Sequence, residues 1–132
     1  FGPIGLCLKA AFPMLSVTMT DINRRAVAYA KANADRNHIH AEAVQGDLYA
    51  AICDRRFGDI VSNPPMAAGK AVNLRLIAEA AAHLEPGGAL WLTCFHNKGG
   101  ETLRKAMAAA FGNVSDVEKG GGIRVYRSVR AG

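Results

Sequence analysis

Asp59-Ile60-Val61-Ser62-Asn63-Pro64-Pro65 is a short apolar run that stops at an Asn-Pro-Pro tripeptide. Ile60 and Val61 read as a buried strand, and two successive prolines remove two backbone donors and fix two φ angles, so the strand must end there. Asn63 is thereby presented at a strand tip, outside the carboxyl ends of the strands where open α/β sheets bind their ligands. The Asn63 side-chain oxygen and the Pro64 carbonyl are two acceptors on a backbone that Pro65 stiffens further. Together they can hold a planar amine with its lone pair turned toward an electrophile. Read alone, the tripeptide also has a plainer reading, a proline-rich turn.

Toward the N-terminus, Glu42 to Gln45 is a short strand candidate followed by Gly46-Asp47-Leu48. Asp47 at that tip can accept from the exocyclic amine of a purine while Leu48 covers the ring; the plainer reading is a Gly-Asp turn. Leu15 to Thr20 alternates as a strand and ends in Asp21. An acid at that tip of a nucleotide-binding α/β unit can accept from both ribose hydroxyls of a nucleoside, although a helix N-terminus also favours an acid. Asn23 is the better N-cap for a helix over Arg24 to Asn37, whose inward stripe is Val27, Ala30 and Ala34. Phe1 to Gly5 resembles the tail of a glycine loop feeding a short helix with Ile4, Leu8 and Ala11, stopped by Pro13.

Toward the C-terminus, Met66 to Lys70 leads into a helix with Val72, Leu76, Ile77, Ala80 and Leu84 at core spacing. Lys70 and Arg75 can meet phosphate or simply face solvent. Leu84-Glu85-Pro86-Gly87-Gly88 is expected to end that helix and turn the chain into a buried strand over Ala89 to Phe95, with Trp91 in the core. A helix over Glu101 to Phe111 would turn Leu103, Met107 and Ala110 inward. Asn113 to Glu118 and Ile123 to Val129 read as two strands at the sheet's antiparallel edge, with Arg124, Arg127 and Arg130 as charges that discourage aggregation.

The chain has 132 residues, half of them hydrophobic, and we expect one domain over 1–132. No stretch approaches the roughly 20 apolar residues of a membrane span. Cys7, Cys53 and Cys94 are scattered without a CxxC pair, which argues against a disulfide framework or zinc site and for a reducing cytoplasm. His38 and His40 have no partner at metal-ligand spacing, and Ser62 lacks a hydrolase elbow. A net charge of +5 suits a polyanionic partner such as RNA, although basic proteins without one are common. The chain opens on Phe1 rather than Met, which suggests part of something longer.

Phe-Gly-Pro-Ile-Gly-Leu, Thr-Asp-Ile-Asn-Arg-Arg-Ala, Gly-Asp-Leu, Ser-Asn-Pro-Pro, Leu-Glu-Pro-Gly-Gly and Phe-Gly-Asn-Val occur here in this order. That succession resembles the small-subunit rRNA guanine-N2 methyltransferases over nearly the whole chain. The resemblance implies an α/β, Rossmann-like class I methyltransferase fold, mostly parallel with an antiparallel final strand. It also implies S-adenosylmethionine as cofactor and small-subunit rRNA or a pre-ribosomal particle as partner.

By position, Gly2 would close the cofactor loop, Asp21 with Ile22 would meet the ribose, and Asp47 with Leu48 the adenine. Asn63, Pro64 and Pro65 would clamp the amine, with Met66 and Lys70 toward the target. Two departures stand out. Relatives carry Asp-x-Gly-x-Gly just before the position of Phe1, so the fold is expected to be N-terminally truncated. The missing strand would lie between those ending at Asp21 and Asn63. Pairing of the flanking strands, exchange within a homo-oligomer, or an upstream segment would each fill that gap. Met66 also replaces a bulkier residue able to stack on the target base. Two other functions fit the same residues: methylation of a glutamine amide in a protein, and a non-catalytic binding or assembly module.

Overall fold

The computed structural model describes residues 18–21, 24–37, 42–45, 55–62, 70–95, 99–120 and 123–131. The chain divides into two compact units, Phe1–Cys53 and Asp54–Gly132. The expected helix after Gly5, residues 15–17 of the expected strand, Asn23, His38, His40, Cys7 and Cys53 lie outside the described residues.

In the first unit, β1 (Thr18–Asp21) runs parallel to β2 (Glu42–Gln45), and α1 (Arg24–Arg36) connects them. A parallel pair cannot be joined by a tight turn, so a long crossover is required, and α1 supplies it. α1 buries Val27, Ala30 and Ala34, the stripe that the spacing predicts. It ends where Asn37 donates to the Asn33 carbonyl from both its backbone N–H, at 3.1 Å, and its side-chain amide, at 2.8 Å.

The second unit contains β3 (Phe57–Ser62), α2 (Lys70–Ala80), a 3-10 turn (Ala81–His83), β4 (Leu84–Phe95), α3 (Gly100–Phe111), β5 (Ser115–Gly120) and β6 (Ile123–Val129). Its sheet has the order β3-β4-β6-β5. β3 and β4 are parallel, and the other two pairings are antiparallel. The architecture is α/β with an antiparallel final strand, as expected. β6, however, lies inside the sheet and β5 at its edge, so Arg124 and Arg127 belong to an interior strand. Its core is made by Leu90, Leu92 and Cys94 of β4, Tyr126 and Ser128 of β6, and Leu103 and Met107 of α3. Burial there pushes the Cys94 thiol above its ordinary pKa.

Three expectations are corrected by packing. α2 stops at Ala80, and its buried positions are Asn73, Ile77 and Ala80 rather than Val72 and Leu76. Val72 is 37% exposed, because the face that meets the sheet is set one position further along the helix. Ala110 of α3 is exposed. In β3, Ile60 is half-buried and Val61 41% exposed, because among the described residues β3 has a ladder partner, β4, on one side only.

Leu84 to Gly88 does not turn between a helix and a strand but belongs to β4 itself. Between Phe57↔Leu84 and Asp59↔Ala89 the register shifts, with one residue of β3 facing four of β4. The surplus folds out at Gly87, whose φ is +81°. The Gly87 N–H donates to the Arg130 carbonyl at 3.0 Å, and the Arg130 N–H donates to the Gly88 carbonyl at 2.8 Å. The Arg130 guanidinium also donates to the Leu84 carbonyl. This arginine therefore fastens the irregular segment instead of guarding an edge.

The end of α3 is tied to β6 through Asn113. Its side chain donates to the Val129 carbonyl at 2.8 Å and accepts from the Val129 N–H at 2.9 Å. Its own carbonyl accepts from the Ser128 hydroxyl at 2.7 Å.

A Cβ on Gly88 would stand 2.7 Å from the Gly58 carbonyl oxygen and 2.9 Å from that of Glu85. Gly88→Ala is expected to lower the unfolding free energy by about 2 kcal/mol. Gly58→Ala, with nothing within 4 Å of the added methyl, leaves it unchanged or higher. Paired urea titrations check both.

Candidate functional site

Asp21 is the last residue of β1 and lies opposite Gln45, the last of β2. Both leave the carboxyl end of one parallel ladder, where βα connections open toward ligands. Asp47 and Leu48 follow Gln45 directly after Gly46. Those two residues, with Ile22 and Gly2, lie outside the described residues.

In the second unit, β3 ends at Ser62, which is registered on Leu92 of β4. The next residues are Asn63, Pro64, Pro65 and Met66, also outside the described residues, and α2 opens at Lys70. The tripeptide therefore enters the connection at the carboxyl end of a parallel strand. What fixes that strand tip is the pairing of Ile60 with Leu90 and Ser62 with Leu92, since both leucines are fully buried.

The opposite face of the same strands carries an arrangement that the residue pattern did not reveal. The Trp91 indole N–H donates to Asp59 Oδ1 at 3.0 Å, and the Arg127 guanidinium lies 5.2 Å from the Trp91 ring centroid. Trp91 is half-buried rather than a full core residue. Carboxylate, indole and guanidinium thus form a row across β3, β4 and β6 that holds β3 against its neighbour. Its members are 32 and 36 positions apart in sequence, so only the register could expose it. Arg75, a candidate phosphate ligand, instead pairs with Glu79 at 2.9 Å on the exposed side of α2.

Among the described residues no group of three His, Cys, Asp or Glu side chains is placed to hold a metal. No helix there is long and apolar enough to cross a membrane.

The chain matches the family profile described as methyltransferase small domain over residues 1–127. It is 32% identical to the uncharacterized protein YbxB of Bacillus subtilis over 97% of this chain and 65% of that protein. It is 37% identical to the ribosomal RNA small subunit methyltransferase C of Hamiltonella defensa, over 69% of this chain and 28% of that protein. The release factor glutamine methyltransferase of Deinococcus radiodurans is 36% identical, over 69% and 41% respectively. The chain thus spans less than two thirds of the length of each of these relatives.

Among solved structures, a methyltransferase from Pyrococcus furiosus superposes with a TM-score of 0.82 at 23% identity, covering 97% of this chain and 68% of that one. A T. thermophilus 16S rRNA N2 methyltransferase, solved with AdoMet and guanosine, gives 0.74 at 22% identity, covering 87% and 31%. At such identities the likeness is one of fold.

Because Leu92 both fills the core and seats Ser62, Leu92→Ala is expected to cost about 3 kcal/mol of stability. Thermal and urea unfolding of the variant provide the measurement.

Proposed function

The chain belongs to the methyltransferase small domain family, and on that premise we propose that the whole protein methylates the exocyclic amine of a guanine in small-subunit rRNA. The cofactor of this reaction is S-adenosylmethionine. The observation that carries the reading is the parallel β3–β4 ladder running regularly to Ser62, immediately before Asn63-Pro64-Pro65.

The residues present fit the cofactor. An acid, Asp21, closes β1 at the carboxyl end of a parallel ladder, the position from which a carboxylate accepts from ribose hydroxyls. Asp47 would accept from the adenine amine and Leu48 cover its ring, with Ile22 beside the ribose and Gly2 closing the cofactor loop. When bound, S-adenosylmethionine supplies a methyl group made electrophilic by its sulfonium, and displacement by the amine yields S-adenosylhomocysteine and a proton.

The chain's own part is to position and orient. The Asn63 side-chain oxygen and the Pro64 carbonyl accept the two amine hydrogens, which turns the nitrogen lone pair away from the guanine plane. Pro64 and Pro65 keep that pair of acceptors from rearranging. Holding the nucleophile in an attack geometry is the largest contribution such a site can make without a strong base. Met66 would lie against the target base and Lys70 near its phosphate.

A glutamine side-chain amide presents the same planar NH2, and the release factor glutamine methyltransferase of D. radiodurans is a relative of similar identity. Labelled cofactor offered separately with small-subunit rRNA and with release-factor protein distinguishes the two. Incorporation into the protein alone overturns the rRNA reading.

Asn63→Ala is expected to lower turnover by about a hundredfold or more while leaving affinity for S-adenosylhomocysteine nearly unchanged. Single-turnover methylation and calorimetry measure the two quantities. Full activity in the variant removes Asn63 from the mechanism.

A further inference from the structure

The outward side of α1 is unlike the rest of the described surface. Arg25, Tyr29, Ala32 and Arg36 follow one another at intervals of four, three and four residues, which on an α-helix places them within an arc of about 60°. That arc is diametrically opposite the buried Val27, Ala30 and Ala34. All four residues are exposed, and Tyr29 is 58% exposed, the most among the large hydrophobic residues described. On a helix the side chains nearest Tyr29 are those of Arg25, Ala26, Ala32 and Asn33, none of which is a large apolar residue.

Charge accompanies the ring. α1 carries four cations, Arg24, Arg25, Lys31 and Arg36, against one carboxylate, Asp35, in a chain whose whole net charge is +5. Arg24 and Arg25 occupy the first turn, which has no acidic residue. The helix macrodipole disfavours cations at that end, and a polyanion passing along the helix would offset that repulsion. From Arg25 to Arg36 the axis advances about 16 Å, enough for several phosphates of a strand that rises roughly 3.4 Å per stacked nucleotide.

We propose that the outward face of α1 is an RNA-binding surface, on which Tyr29 stacks an unpaired base and Arg25 and Arg36 hold phosphates on either side. The choice of RNA over another polyanion rests on the function proposed above. An exposed aromatic ring framed by guanidinium groups is the combination that single-stranded nucleic acid uses, with bases on π-faces and backbone on cations.

The test uses the full chain with a fluorescent single-stranded RNA of about 16 nucleotides, and heparin as a polyanion without bases. Tyr29→Ala is expected to weaken RNA binding about tenfold, with Tyr29→Phe within about twofold of the parent. Arg25→Ala with Arg36→Ala should flatten the slope of log affinity against log salt by about 1.4. Heparin binding should respond to the arginine changes and not to Tyr29→Ala.

RNA affinity unchanged in Tyr29→Ala overturns the proposal, as does a parent chain that binds no RNA. Circular dichroism and calorimetry with S-adenosylhomocysteine, unchanged across the variants, separate a lost surface from a lost fold or cofactor site. Loss of RNA binding in these variants upholds the surface even where rRNA methylation is not found. Methylation with undiminished binding overturns the surface alone.

Discussion

The larger sheet depends on one place where two stretches of backbone come closer than any side chain would permit. Gly88 of β4 lies so near the Gly58 carbonyl of β3 that a methyl group would collide with it. Just before this contact β4 carries more residues than β3 can match, and the excess is folded out at Gly87 and held by the backbone and side chain of Arg130. Past the contact the pairing is regular from Asp59 to Ser62. The position at which β3 releases the chain into Asn63 is thus determined by a glycine contact at the strand's other end.

Sequence patterns revealed the elements better than their faces. The α1 stripe of Val27, Ala30 and Ala34 was legible because a single period of apolar residues, with polar neighbours between them, leaves one solution. α2 offered two solutions, since Val72, Leu76 and Ile77 are all apolar, and the sheet selected a face that includes the polar Asn73. Gly87 and Gly88 were legible as breakers, but a positive φ serves a bulge as well as a turn. Arg127 and Arg130 were read as surface charges because nothing local marks a guanidinium that will lie over an indole or reach a carbonyl 46 residues away.

The strand ends that precede the candidate residues were legible for a different reason. Asp21 and Asn63-Pro64-Pro65 follow short apolar runs, and a residue that ends such a run is at a strand tip whatever the details of packing. The described strands end where those runs end, at Asp21, Gln45 and Ser62. The row of Asp59, Trp91 and Arg127 was hidden, because cross-strand neighbours are a property of register. The outward face of α1 also escaped a reading that looks for the apolar stripe and treats the remaining side as solvent's share.

Asn113 bonds at once to the carbonyl and amide of Val129, while its own carbonyl takes the Ser128 hydroxyl. Releasing that clasp deprives both the carbonyl and the amide of Val129 of a partner, so loosening the chain just past α3 also loosens the end of β6.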